Sequence, residues 1–134
     1  MTDILVVLAG LTQLAIALTS LLIPRVLDWK AEVAQLSGLT RRIFWTYAGY
    51  ILGTNIAFGL VSVLAAHWLT DGTDLARAVC AFIATYWGAR IVVQFAAYGE
   101  FEPKGRKFVV AKLLYMSGFA YCTGVYGAIA LALV

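Results

Sequence analysis

Apolar positions run through this chain in four blocks, residues 4–23, 43–69, 75–98 and 108–134, with few polar residues inside them. A transmembrane helix needs about 20 predominantly apolar residues, so each block is long enough to cross a bilayer. Polar residues collect between the blocks, at 24–42, 70–74 and 99–107. The pattern predicts an all-α polytopic membrane protein with a single domain over 1–134. The expected architecture is an antiparallel four-helix transmembrane bundle, because short connections make sequential helices neighbours. Helix punctuation agrees. Pro24 follows the first block, where a helix should stop. Thr73 or Asp74 can cap the third helix. Gly99 stands at a C′ position, with Pro103 just beyond.

The 24–42 segment carries its own pattern. Val26, Trp29, Val33 and Leu36 recur at helical spacing, while Arg25, Lys30, Glu32 and Gln35 fall mostly elsewhere on the wheel. This predicts a short amphipathic surface helix between the first two spans, anchored by Trp29.

Composition fits the pattern: 63% hydrophobic and 13% charged over 134 residues. Charge placement then sets orientation. Arg25, Lys30, Arg41 and Arg42 lie in the first loop and Lys104, Arg106 and Lys107 in the third, whereas the 70–74 turn holds no Lys or Arg. Basic residues close to helix ends favour the cytoplasm. Both basic loops are expected inside and both termini outside, in a bacterial inner membrane. The first block lacks a basic n-region and a small-residue cleavage site, so it is expected to be retained.

Packing faces are read from small residues, because helices in lipid associate where backbones can approach closely. The second span offers Gly49, Gly53 and Ala57. The third offers Ala84, Gly88 and Ala96, and the fourth Ala120, Gly124, Ala128 and Ala132. Any of these rows could equally meet another subunit.

Few residues could carry chemistry. Arg90 lies roughly 12 Å from the Tyr98 end of its helix at 1.5 Å per residue. An arginine in hydrocarbon costs at least about 2.5–3.5 kcal/mol, so it should face protein or a wet cavity. Gln94, Tyr86 and Trp87 lie one turn away, Tyr50 and Tyr115 lie at similar depth, and Glu100 or Glu102 could bend back toward it. Two readings stand: a ligand or headgroup site for an anion, lipid or quinone carbonyl, or a snorkelling side chain with a structural hydrogen bond. Gln13, Asn55 and Tyr121 form a deeper polar layer, expected to bond across helices. Lys112 reads as snorkelling, and His67 beside Trp68 as interfacial. Cys80 and Cys122 fall at similar depth and are either a redox pair or small apolar fillers. No Asp or Glu lies inside a span, and no phosphate loop, HExxH or Ser/His/Asp set is present. No metal site is indicated. The basic loops interleave with acids, which fits membrane orientation better than nucleic-acid binding.

Two segments, LAGLTQLAIALTSLLIPRVL at 8–27 and ARAVCAFIATYWGARIVVQFAAYG at 76–99, carry a resemblance. A helix ending at Pro-Arg, a long helix, a short polar turn and a third helix with Gly88-Ala89-Arg90 resemble the DoxX-like group of small four-helix membrane proteins. The resemblance covers three helices, and the fourth shows no matching feature. It implies a redox-associated membrane protein and carries over no catalytic residue.

Three functions are compatible with these readings. The first is a non-catalytic integral membrane subunit or accessory protein of a larger complex. The second is a DoxX-like redox-associated protein binding lipid or quinone around Arg90. The third is a small homo-oligomeric channel or anion carrier. Expected partners are membrane lipids and other membrane subunits or further copies of the chain.

The charge asymmetry generates the first prediction. With Asp71→Cys and Lys104→Cys variants in intact cells, a membrane-impermeant thiol reagent should label position 71 and not 104. The reverse labelling would invert the topology.

Overall fold

A computed structural model describes residues 2–98 and 104–133. Seven helices occupy them: α1 (Thr2–Ser20), α2 (Ile23–Val26), α3 (Trp29–Ala34), α4 (Gly38–Leu64), α5 (Ala66–Leu69), α6 (Asp74–Ala96) and α7 (Arg106–Ala130). No strand occurs among the described residues. Four helical segments, Thr2–Val26, Gly38–Leu64, Asp74–Ala96 and Arg106–Ala130, are long and apolar enough to cross a membrane. The expected positions of Gly99, Glu100, Glu102 and Pro103 lie outside the described residues.

The elements differ from the sequence expectation in two places. The surface helix is two short helices rather than one. They are separated at Asp28, which adopts a left-handed conformation (φ 52°, ψ 51°). That break turns Val33 into a buried position and sets Trp29 edge-on to Phe44, with ring centroids 5.2 Å apart. Val26 and Leu36 stay exposed, so the apolar face is divided between protein and surroundings. The second span starts earlier than expected, at Gly38, and ends at Leu64. Ala65 (φ −133°, ψ 37°) interrupts it, and the separate turn of α5 swings Ala66 and Leu69 into the core.

Local chemistry explains the other ends. Thr73 Oγ1 accepts from the Ala76 N–H at 3.1 Å, capping α6. Asp71 Oδ1 accepts from the Thr73 N–H and hydroxyl at 3.0 and 2.7 Å, bonds that hold its carboxyl below the usual carboxylate range. At the end of α7, Leu133 N–H donates to Ala128 O and Ala132 N–H to Ile129 O, with Ala132 at φ 59°. This is the Schellman pattern, which satisfies carbonyls that the helix end would orphan.

α1 is the central element: it packs on α4 along one side and on α7 along another, while α6 packs on α7. Its buried face is Val6, Ala9, Gly10, Gln13, Ile16 and Ala17, a stripe at helical spacing. The α1–α4 contact is a backbone approach at Gly10 and Gly59. A Cβ added at Gly10 would lie 2.8 Å from both the Gly59 carbonyl oxygen and Ser62 Cβ. One added at Gly59 would lie 2.7 Å from Leu14 Cγ. Only hydrogen fits at either position.

The small-residue rows read from the sequence do not make this contact. Gly49, Gly53 and Gly124 have nothing within 4 Å of a Cβ position, and Ala57 is exposed. Gly88 meets only Thr123 Cγ2, at an ordinary 3.6 Å. Among the described residues the Gly49/Gly53/Ala57 row is thus an exposed side of α4. Burial on α4 falls instead on Asn55, Gly59 and Ser62, a row at i, i+4 and i+7 on another side of the helix.

Gly10→Ala should therefore lower the thermal unfolding midpoint in detergent, by overpacking of about 1–3 kcal/mol. Gly124→Ala should leave the midpoint unchanged or raise it, since Ala favours the helix by roughly 1 kcal/mol over Gly. Equal effects would mean that the α1–α4 approach is not this close.

Candidate functional site

The best-defined polar feature is a hydrogen-bonded chain that joins all four long helices. Trp87 Nε1 of α6 donates to Gln13 Oε1 of α1 at 3.0 Å. Gln13 Nε2 donates to Tyr126 Oη of α7 at 2.7 Å and to the Ala9 carbonyl of its own helix at 3.2 Å. Tyr126 Oη is in turn hydrogen-bonded to Ser62 Oγ of α4. The indole N–H can only donate, so the amide oxygen of Gln13 must face it. The amide nitrogen then donates to Tyr126, and the two hydroxyls of Tyr126 and Ser62 share the next bond, in which either can donate. One donor-only group thus sets the orientation of the Gln13 amide.

Burial makes this arrangement consequential. Gln13, Ser62 and Tyr126 are 0% exposed and Trp87 2%. Among the described residues no buried side-chain nitrogen or oxygen lacks a partner. Trp87 also stacks on Phe119, centroids 5.1 Å apart, so the network sits on an aromatic floor. A closed set of this kind holds helices in register and offers no free group to a ligand.

Asn55 and Tyr121 do not belong to it. Asn55 Oδ1 accepts from Tyr86 Oη at 2.6 Å, linking α4 to α6. Phe58 packs edge-on against Tyr86, 5.3 Å between centroids, beside that bond. Tyr121 Oη reaches the Leu5 carbonyl at 3.1 Å, nearer the start of α1, so the expected single polar layer is several separate links.

The residues grouped around Arg90 in the sequence are largely dispersed. Trp87 is committed to Gln13 and Tyr86 to Asn55. Tyr115 donates to Thr19 Oγ1 at 2.7 Å, and Tyr50 is 70% exposed on α4. Gln94 does meet Arg90: Nη1 donates to its Oε1 at 3.1 Å. The guanidinium carbon lies 5.1 Å from the Tyr98 ring centroid and 5.3 Å from that of Phe119. Arg90 is half-buried, and among the described residues one amide and two ring faces hold it. Phe119 therefore carries Arg90 on one contact and Trp87 on another, joining this site to the polar chain.

Cys80 and Cys122 are free and fully buried. Their thiols donate to different carbonyls, Leu69 O at 3.6 Å and Ala9 O at 3.8 Å. His67 stands edge-on to Trp68, 5.6 Å between centroids, and both are exposed. Lys112 Nζ lies over the Phe95 ring at 5.9 Å. No group of three or more metal-ligating side chains occurs among the described residues.

Three important residues escaped the sequence reading. Tyr126 and Ser62 complete the network, and the i, i+4, i+7 row Asn55–Gly59–Ser62 was the signal for the second. Arg77 is the third. Its Nε donates to the Ala130 carbonyl at 3.1 Å, placing a cation at the C-terminal end of α7, where the helix dipole favours it. Arg77 also borders a small cavity of about 180 Å³ lined by Thr2, Thr70, Gly72, Ile129 and Ala132. Nearby, Thr70 donates to Asp3, tying the start of α1 to the end of α5.

No family model matches the chain, and neither a curated protein nor a solved structure matches it.

Gln13→Leu should destabilise the chain by about 1–3 kcal/mol, because it strands the Trp87 donor and removes the Tyr126 partner. Tyr115→Phe should cost far less, since Thr19 Oγ1 already bonds the Ala15 and Ile16 carbonyls of its own helix. Paired thermal melts check this, and a Gln13→Leu variant as stable as the parent would remove the network from its central place.

Proposed function

We propose that this chain is an integral membrane subunit or accessory protein, built as an antiparallel four-helix bundle, that docks a neighbouring transmembrane helix on α4. The observation that carries the reading is the position of the Gly49/Gly53/Ala57 row. It sits on a helix apolar enough to span a membrane, and among the described residues nothing lies within 4 Å of a Cβ at Gly49 or Gly53. All fully buried residues of α4 lie from Asn55 onward, so its Gly38–Thr54 half is only partly covered, by α3 against Phe44 and Trp45. Small residues on a span let a second backbone approach closely, and dispersion and weak polar contacts then hold the pair. The exposed Tyr47, Tyr50 and Ile51 flank the row with larger contact surface. The occupant is a helix of a larger membrane complex, of a redox or energy-converting kind if the DoxX-like resemblance extends to function.

A second reading rests on a different observation. The Arg90 guanidinium, between the Tyr98 and Phe119 rings, suits the carbonyl of a quinone or a lipid phosphate. Mass analysis after purification in mild detergent separates the two. A stoichiometric protein partner supports the first, and bound quinone without a partner supports the second.

Gly53→Ile gives the sharper test. The new Cβ has open space within 4 Å among the described residues, so the variant should melt like the parent while losing the co-purifying partner. Leu60→Ile, a near volume-conserving change at an exposed position, should keep it. Equal partner recovery from both variants would place the docking face elsewhere.

A further inference from the structure

The first turns of α7 carry a surface feature that neither the polar network nor the α4 face uses. A shallow open groove of about 550 Å³ is lined by Arg106, Lys107, Val110, Ala111 and Leu114. Arg106, Val110 and Leu114 are spaced by four, as are Lys107 and Ala111, so both rows run along one side of the helix. The groove is therefore ordered: two cations at its start, then an apolar wall reaching a further two turns into the span. Arg106, Lys107, Val110 and Leu114 are all exposed.

We propose that this groove binds one anionic phospholipid. Its phosphate lies against Arg106 and Lys107, and an acyl chain lies along Val110, Ala111 and Leu114. An anionic diacyl lipid has the same polarity order over the same direction. An arginine fork can take two phosphate oxygens while the lysine adds a point charge. The assignment rests on α7 spanning the membrane. In that setting Arg106 and Lys107 sit at headgroup level and the apolar wall at hydrocarbon depth. A basic juxtamembrane pair attracts anionic lipid generally, and the groove adds a place for the chain that bulk attraction does not need.

The test is native mass spectrometry of the detergent-purified chain titrated with dioleoyl phosphatidylglycerol or dioleoyl phosphatidylcholine. Phosphatidylglycerol should be retained at one per chain in preference to phosphatidylcholine. Arg106→Gln with Lys107→Gln should cut retention roughly ten- to thirtyfold, as expected for two cations near an anionic surface. Arg41→Gln with Arg42→Gln removes the same charge from another loop and should change it little. Val110→Gln should weaken phosphatidylglycerol, and inorganic phosphate at equal concentration should not displace it. Equal binding of the two lipids by the unaltered chain overturns the proposal. So does an equal loss in both double variants, which reports bulk charge, or displacement by phosphate, which reports a simple anion site. Membrane insertion itself is read separately, from the labelling of positions 71 and 104.

Discussion

A buried glutamine in an apolar surrounding must find hydrogen-bond partners, and Gln13 finds them on other helices. Leaving such a group unpaired costs several kcal/mol where no water can reach it. Trp87, Tyr126 and, through Tyr126, Ser62 are therefore brought to one point, and each comes from a different long helix. Apolar packing alone discriminates poorly between helix rotations, because one branched side chain replaces another at little cost. A directed hydrogen-bond chain does not tolerate such rotation. The Gly10–Gly59 approach is its steric counterpart, allowing α1 and α4 to come near enough for Ser62 to join.

This core divides α4 in two. From Asn55 onward the helix is held by the Asn55–Tyr86 bond, the Gly10 contact and Ser62. Before Asn55 no position is fully buried: Phe44 and Trp45 meet Trp29, and Tyr47, Tyr50 and Ile51 are exposed. The same helix thus has one half committed to its own chain and one half with backbone accessible at Gly49 and Gly53. A soluble protein would pay heavily for that exposure, whereas in lipid an apolar face costs nothing until a better-packed neighbour arrives.

Aromatic rings and cations gather at the end of the bundle carrying the basic loops. Trp29, Phe44 and Trp45 form one cluster, and Arg90 with Tyr98 and Phe119 another. Lys112 over Phe95 and the Arg106–Lys107 pair complete that end. Rings with polar or charged neighbours are stable where hydrocarbon meets headgroups, since each side chain can present one apolar and one polar part. Phe119 touches both this region and Trp87, so a change around Arg90 is mechanically adjacent to the core network.

The number of long helices and their approximate positions were legible in the sequence, because length and hydropathy are local properties, although the second span begins at Gly38 and breaks at Ala65. The Thr73 cap was legible too, being set by a side chain three residues from its donor. The identity of the polar layer was not. Gln13 stood out by its type, but Trp87 and Tyr126 look like ordinary aromatics in apolar helices until their hydrogen-bonding atoms are seen to converge. Small-residue spacing was legible at Gly49, Gly53 and Ala57, yet the close contact formed at Gly10 and Gly59. Spacing reveals which faces can approach, and only the mutual rotation of helices decides which do. That rotation is set by a few buried hydrogen bonds between residues far apart in the chain, so it belongs to the tertiary structure alone.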